Sequence, residues 1–154
     1  MLLILLGADG RAEEVLTPGM ESRARPVSVD VCKYEIHNNE PNAGKPYAVY
    51  VCHVHVDGPG RAPWYILRRY KQWEELLDDL QDKAGRAKLP SLPGKRMFGN
   101  MEPKFLGTRQ RELQTWVTEI LRHSRLRESD AMWRWLQPLP EDIDYGRSSS
   151  PAEL

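Results

Sequence analysis

The chain has 154 residues and no net charge, with 22 Lys and Arg against 22 Asp and Glu, and 40% of its residues are hydrophobic. This is the composition of a globular protein, and it excludes fibrous and wholly disordered classes. The only strongly apolar N-terminal stretch, residues 1–6, is too short to span a bilayer and lacks the features of a secretory signal. We therefore expect a soluble, cytoplasmic protein.

The charges are unevenly distributed along the chain. Residues 61–127 hold fifteen Lys and Arg against eight Asp and Glu, a net charge of +7, and the remainder carries −7. A basic middle suggests an anionic partner such as a membrane surface or a nucleic acid, although solvated helix faces without a partner have the same composition. Because no nucleic-acid recognition fold or series of stacking aromatic residues is present, no nucleic-acid partner is predicted.

The first part of the chain predicts a tail followed by three strands. Residues 1–24 lack sustained periodicity and contain glycine and proline, so we expect a disordered or weakly ordered tail. Alternating apolar residues predict strands at 27–37, 47–56 and 64–70. In the first strand the parity of the apolar residues changes near Val31, which a β-bulge there would reconcile. Short turns between the strands predict an antiparallel meander.

The second part of the chain predicts helices. An apolar stripe at helical spacing follows the third strand and ends at Gly85. A second helix is expected from Thr108, which can act as its N-cap, and a third starts near Ser129 and stops before Pro138. Residues 139–154 are expected to form a disordered C-terminal tail.

An extended segment separates the first two predicted helices, because Pro90 and Pro93 disfavour helix and favour an extended left-handed conformation. The sequence therefore predicts an α+β domain over residues 25–138. In this domain a three-stranded antiparallel sheet packs against a helical subdomain, with the proline-rich segment between the first two helices.

Metal-binding and catalytic patterns are weak. Cys32 and Cys52 lie in strand-like runs without metal-ligand spacing, so we expect buried, reduced thiols. His53 and His55 share one strand face, but without a third ligand nearby they indicate an exposed face rather than a metal site. The sequence contains no GxSxG, Walker-type phosphate loop or HExxH motif, so neither enzymatic activity nor a cofactor or metal is predicted.

Three motifs occur in order along the predicted domain: "RRYKQW" from Arg68, "LPSLPGK" from Leu89 and "RQRELQTWV" from Arg109. This ordered set resembles the phox-homology (PX) domain, a phosphoinositide-binding module that is common in sorting nexins and oxidase subunits. The resemblance covers nearly all of the predicted domain and implies its fold. One departure is Trp73, where the family more often has phenylalanine; both residues bury an aromatic ring.

The resemblance implies a headgroup site for phosphatidylinositol 3-phosphate. By the family pattern, Arg69 would grip the 3-phosphate, Tyr70 would stack against the inositol ring, Lys95 would reach the 1-phosphate, and Arg109 would bind the 4- and 5-hydroxyls. A planar guanidinium suits a phosphate dianion and a compact ammonium suits a phosphodiester, which agrees with these roles. Because successive strand residues point oppositely, only one of Arg68 and Arg69 can face the pocket, and Arg68 is expected to be structural or a surface contact.

A loop after the proline-rich segment suits membrane insertion. Met97, Phe98 and Met101 lie among cations that include Arg96, a pattern that favours an anionic interface, and the loop resembles the membrane-insertion loop of PX domains. The alternative is that Phe98 folds into the core. The predicted function is a membrane-targeting module, peripheral on the early endosome membrane.

A second interpretation uses the same prolines. Pro90, Pro93 and Lys95 spell PxxPxK, a pattern that Src-homology-type grooves read as an extended segment with a flanking cation. In this alternative the chain is a protein-interaction module with a proline-recognition partner and weak or nonspecific binding of anionic lipid. A pull-down with Pro93→Ala would separate this alternative from lipid binding, and competition with soluble inositol 1,3-bisphosphate would separate lipid binding from nucleic-acid binding.

Overall fold

The computed structural model of the protein describes residues 2–6, 12–16, 26–38, 44–58, 60–94 and 101–148. Near the N-terminus, β1 (Leu2–Leu6) and β2 (Ala12–Leu16) pair as antiparallel strands. The sequence predicted a tail over residues 1–24 and not these two strands. A strand is predicted from alternating apolar and polar residues, and neither segment has that alternation.

The central sheet has three antiparallel strands in the order β3 (Pro26–His37), β4 (Tyr47–Val56) and β5 (Trp64–Arg69). This confirms the predicted meander.

The predicted bulge in β3 is also confirmed, since the register shifts between Val31 and Lys33. The shift makes Cys32 the extra residue of the strand and leaves its side chain exposed. The prediction that both thiols are buried is therefore wrong for Cys32, whereas Cys52 is fully buried. Both cysteines are free thiols.

The helices are α1 (Tyr70–Ala84), α2 (Pro103–Arg122), α3 (Ser124–Arg127), α4 (Asp130–Leu136) and α5 (Pro140–Ser148). As predicted, α1 ends at Gly85, whose φ of 62° favours glycine. The hydroxyl of Ser129 caps α4, because it accepts a hydrogen bond from the Met132 N–H at 3.2 Å.

The start of α2 differs from the prediction. The helix begins with Pro103 at its first turn, five residues before Thr108. Proline fits there because the first turn needs no backbone donor. Thr108 therefore lies inside the helix, where its hydroxyl donates to the Lys104 carbonyl at 2.9 Å instead of capping.

The core lies between one face of the central sheet and the helices. It includes the two large rings of Trp73 and Trp116, whose centroids are 6.1 Å apart in an edge-to-face arrangement. Sheet residues such as Tyr50 and Ile66 pack against the apolar stripes of α1, α2 and α4. Within the residues that the structure describes, no helix combines the length and apolar character needed to cross a membrane.

Side chains from two helices cover the open edges of the central sheet. On β3, the Gln114 amide of α2 accepts a bond from Val31 N–H at 2.7 Å and donates one to the Val29 carbonyl at 2.9 Å. On β5, the Asp142 carboxylate of α5 accepts a bond from Leu67 N–H at 2.9 Å. These contacts satisfy backbone groups that an edge strand otherwise leaves unpaired.

Helix α5 corrects the expectation of an unordered C-terminal tail for residues 140–148; residues 149–154 lie outside the described part of the chain. Asp142, only 1% exposed, is the buried residue of α5, and its carboxylate also accepts a bond from Leu139 N–H at 2.8 Å. The composition of this segment gave no indication of order, because the buried residue of α5 is a carboxylate and no apolar stripe marks the helix in the sequence.

Candidate functional site

The junction between β5 and α1 carries the Arg68–Arg69–Tyr70 motif. Arg68 is buried and Arg69 is exposed, as the alternation of strand side chains predicts. Arg69 is the N-cap of α1, with φ of −76° and ψ of 155°. Its backbone N–H donates to Oε1 of Gln72 at 2.7 Å, and this one-way bond from the N-cap to the third residue of the helix helps to fix the direction in which the chain leaves the strand.

Arg68 is a structural residue. Its guanidinium pairs with the Asp142 carboxylate at 2.7 Å and donates further bonds to the carbonyls of Leu67, Trp135 and Gln137. Both partners of the ion pair are inaccessible to solvent, with side-chain exposures of 3% and 0%. Arg68 is therefore not available to a ligand, in agreement with the expectation that only one arginine of the pair faces a pocket.

Arg69 presents its guanidinium on the opposite face of the sheet, 3.9 Å from the centroid of the Tyr47 ring. Val49 is the cross-strand partner of Arg69, and Tyr47 lies two residues away on the same face of β4. This cation–π contact restrains an exposed side chain without using its hydrogen-bond donors. Sequence reasoning missed Tyr47, because only the strand register identifies it as a neighbour of Arg69.

Tyr70 and Arg109 contact each other directly. The Arg109 guanidinium lies 3.8 Å from the centroid of the Tyr70 ring and 4.5 Å from that of Phe105. The Tyr70 hydroxyl donates to the Pro93 carbonyl, and Nη2 of Arg109 donates to the Gly94 carbonyl at 2.8 Å. The two side chains thus join α1 and α2 to the end of the proline-rich segment.

Arg109 is 7% exposed, and its Nε is buried without a hydrogen-bond partner among the described residues. Its positive charge also lies close to Tyr50. Burial raises the pKa of Tyr50 to about 12, although the Arg109 guanidinium opposes that shift. The Arg109 guanidinium is therefore a buried cation with one unused hydrogen-bond donor. Because an unpaired buried donor is costly, a further hydrogen bond to an acceptor is most strongly favoured for such a group.

The structure brings most of the predicted headgroup residues to one region. Tyr70 and Arg109 meet at Gly94, and Arg69 adjoins Tyr70 in the chain although its guanidinium lies over Tyr47. Lys95, the fourth predicted residue, lies outside the described residues. Gly94, the residue before Lys95, is the last described residue before the gap at residues 95–100.

The predicted membrane-insertion residues fall mostly outside the described part of the chain. Arg96, Met97 and Phe98 lie in the gap between residues 94 and 101. Met101 is described and is half-buried in the turn that precedes α2. The role of this loop stays a prediction.

The proline-rich segment packs along α2. The indole N–H of Trp116 donates to the Pro90 carbonyl at 2.9 Å. Between the segment and the helix lies a groove of about 340 Å³, lined by Pro90, Ser91, Leu92, Pro93, Glu112, Thr115, Trp116 and Glu119. The carbonyls of Pro90, Pro93 and Gly94 are therefore all bound by side chains of the domain itself.

Comparison with known proteins shows which sequences and structures the chain is similar to. In a probable serine/threonine-protein kinase of Dictyostelium discoideum, the match is 31% identical over 103 residues, which is 66% of this chain and 5% of the kinase. Mouse (Mus musculus) sorting nexin-25 is 30% identical over 98 residues, which is 62% of this chain and 12% of that protein. The chain thus spans only a small part of the length of these relatives.

Solved structures share the fold. A designed CISK-PX domain superimposes with a TM-score of 0.61 at 21% identity, over 72% of this chain and 99% of that one. The mouse SNX19 PX domain, solved with a bound sulphate ion, gives a TM-score of 0.55 at 14% identity, over 74% of this chain and 97% of that one. The family model of the PX domain matches residues 57–139, more than half of the chain. With its α+β fold, its proline-rich segment between α1 and α2 and this match, the chain belongs to the PX domain family.

Proposed function

We propose that this chain is a phosphoinositide-binding, membrane-targeting module that prefers phosphatidylinositol 3-phosphate. Membership of the PX family and the similarity to a sorting nexin support the membrane-targeting role. The observation that carries the proposal is the arrangement of an exposed Arg69 beside the Tyr70–Arg109 pair at Gly94. In this arrangement an exposed arginine directly precedes in the chain a tyrosine whose ring packs on a second guanidinium, and that guanidinium has an unused Nε donor among the described residues.

The proposed roles are those that the resemblance to PX domains implies, and the chemistry of each donor supports them. Arg69 is exposed at a fixed strand end, so its fork of N–H groups suits the 3-phosphate dianion. Arg109 is held by Tyr70 and Gly94 and would contribute its remaining donors to the ring hydroxyls. Lys95 follows Gly94 in sequence and would meet the 1-phosphate. Hydrogen bonds to charged groups contribute about 1.5–3 kcal/mol each, enough for two or three of them to sustain headgroup binding.

The apolar loop supplies the second part of membrane attachment in this proposal. Burial of Phe98 in the interface would contribute about 1.5–3 kcal/mol, and each nearby cation such as Arg96 about 1 kcal/mol. Met97 and Met101 would enter the same interface. The proposed location is the cytoplasmic surface of early endosomes.

A catalytic role is not part of this proposal. Some relatives are named as kinases, but the match to one of them covers only 5% of its length. Nearly all of that kinase therefore lies outside the match.

Flotation of the chain with liposomes tests the lipid preference. Vesicles carrying each phosphoinositide in turn are compared at equal surface charge, and we expect the strongest recruitment by phosphatidylinositol 3-phosphate. Arg69→Ala should abolish recruitment. Arg122→Ala removes the same charge from the exposed C-terminal end of α2 and should have little effect.

Soluble inositol 1,3-bisphosphate should compete with the vesicles, because it carries the phosphates that Arg69 and Lys95 are proposed to bind. Equal recruitment by all anionic vesicles, with equal loss in Arg69→Ala and Arg122→Ala, would reduce the binding to a general effect of charge.

The proline-recognition alternative requires the segment from Pro90 to Lys95 to be free for a partner. Its carbonyls at Pro90, Pro93 and Gly94 are instead engaged by Trp116, Tyr70 and Arg109. Pro93→Ala keeps the carbonyl that Tyr70 uses, so lipid binding should survive this substitution. Capture of the chain by a Src-homology-type domain, abolished by Pro93→Ala, would favour the alternative.

A further inference from the structure

The face of the central sheet opposite the helical core carries a group of polar side chains near the end of β4. We call this group the outer-face cluster; it consists of Asp30, His53, His55 and Tyr65. The register of the strands creates it, because Asp30 on β3 and Tyr65 on β5 are the direct partners of His53 on either side. His55 lies two residues further along β4, on the same face.

Three members of the outer-face cluster have ligand atoms that converge. The donor atoms of Asp30, His53 and His55 all lie within 4.8 Å of one another. His55 Nε2 is 3.3 Å from the Asp30 carboxylate, and the two imidazole rings have centroids 4.4 Å apart. The sequence alone offered two histidines without a third ligand; strand pairing supplies Asp30, which is 23 positions before His53 in the chain.

The cluster is held in place yet open to solvent. Tyr65 stacks on His53 with ring centroids 4.3 Å apart and an interplanar angle of 11°, which restrains that imidazole. The side chains of His55 and Asp30 are 39% and 59% exposed, so an ion can reach them. Donors on paired strands are also positioned more rigidly than donors on loops.

We propose that Asp30, His53 and His55 form a binding site for a borderline divalent transition-metal ion, with Zn²⁺ as the representative ion. Two imidazole nitrogens and one carboxylate oxygen are ligands that Zn²⁺ accepts, whereas Mg²⁺ and Ca²⁺ select oxygen ligands. Three protein ligands leave one tetrahedral position of the ion open, and water fills it. The site is thus of the open kind rather than a closed structural one.

Cys32 lies next to the cluster but is not one of its ligands. Its thiol donates to the Asp30 carbonyl at 3.3 Å, which directs it toward the backbone. Because a thiolate is a strong zinc ligand, Cys32→Ser is a necessary variant.

The proposed metal site is separate from the proposed lipid site. His53 is six residues from Tyr47 along β4, which corresponds to about 20 Å at the rise of a strand. Arg69 stands over Tyr47, at the other end of the strand. Loss of the metal site should therefore leave lipid recruitment unchanged, and the reverse also holds.

Titration of the purified chain with ZnCl₂ by isothermal calorimetry tests the proposal. We expect one ion per chain for Zn²⁺ and no comparable binding of Mg²⁺. Asp30→Asn, His53→Ala and His55→Ala should each weaken Zn²⁺ binding at least about tenfold. The matched control is His123→Ala, which removes an exposed histidine at the end of α2 and should leave the affinity unchanged.

Circular dichroism verifies that each variant is folded, and Co²⁺ substitution reports the coordination geometry through its visible absorption. The proposal is overturned if His53→Ala and His55→Ala bind Zn²⁺ as the original chain does, or if Asp30→Asn has no effect. Loss of binding in Cys32→Ser would overturn the three-ligand assignment, and loss in His123→Ala would place the ion elsewhere.

Discussion

Arg68 turns its guanidinium into the protein, where five hydrogen bonds end on carbonyl oxygens and on the Asp142 carboxylate. Arg69, the next residue, is exposed and rests on the Tyr47 ring. Two residues that look equivalent in the sequence therefore differ in environment because the strand period places them on opposite faces. Substitution of Arg68 should therefore change the free energy of unfolding, and substitution of Arg69 should change lipid binding.

We predict that Arg68→Ala lowers the free energy of unfolding by about 3–5 kcal/mol, because it leaves the buried Asp142 carboxylate without its cation. Arg69→Ala should change that free energy by no more than about 0.5 kcal/mol, since its side chain is exposed. Urea unfolding followed by circular dichroism measures both variants. Equal stability losses would contradict the assignment of Arg68 to structure and Arg69 to binding.

The two thiols should differ in reactivity. Cys52 is fully buried and Cys32 is exposed at the bulge of β3. Burial raises the pKa of both thiols, and Asp30 raises that of Cys32 further, so neither is an activated nucleophile. We predict that iodoacetamide modifies Cys32 alone in the folded protein, slowly, and both residues in urea, as mass spectrometry will show. Modification of both thiols at equal rates in the folded protein would contradict this burial pattern.

At the scale of elements, α5 completes the sheet edge that β5 leaves open. Its Asp142 carboxylate binds Leu67 N–H and the Arg68 guanidinium together. Tyr145 of the same helix lies edge-on to Tyr65, with ring centroids 6.0 Å apart. The helix therefore contacts both the core side and the outer face of β5.

We predict that a chain ending at Pro138 is less stable than a chain ending at Ser148 by about 3 kcal/mol or more, because removal of α5 leaves Arg68 without its carboxylate. The urea midpoints of the two chains measure the difference. Asp142→Ala in the longer chain should reproduce most of the loss. Equal midpoints for the two chains would show that α5 is dispensable.

Apolar periodicity predicted the elements that bury a stripe or a face, and only those. The three strands of the central sheet, α1, α4 and the bulge near Val31 were recoverable because these elements bury regularly spaced residues. The start of α2 at Pro103 was missed, since its first turn depends on a proline and not on a capping side chain. Helix α5 was missed because its buried residue is a carboxylate, Asp142, and not part of an apolar stripe.

At the scale of the whole molecule, the candidate site combines three separated segments. Resemblance to a family identified Arg69, Tyr70 and Arg109, and the structure brings the last two into contact. Tyr47 and the partnership of Asp30 with His53 were beyond sequence reasoning, because strand register determines which residues lie opposite each other.

The stability of the whole domain should depend on alkaline pH through two buried acids that fold in their neutral forms. Burial raises the pKa of Tyr50 to about 12, from 10.0, although Arg109 opposes the shift, and burial raises the pKa of Cys52 from 9.0. The unfolded chain therefore releases these protons at lower pH than the folded protein does. Stability is fully present below pH about 9 and falls as pH rises, by up to about 1.4 kcal/mol per pH unit for each group.

Tyr50→Phe isolates the tyrosine part of this dependence. Urea unfolding at a series of pH values should give a steeper loss for the original chain than for Tyr50→Phe between pH about 10 and 12, the interval between the unfolded and folded pKa values. Below pH about 9 the two curves should run parallel, because Tyr50 is then neutral in both states. Parallel curves throughout the interval would mean that Tyr50 titrates alike in both states, and that its hydroxyl is hydrated in the folded domain.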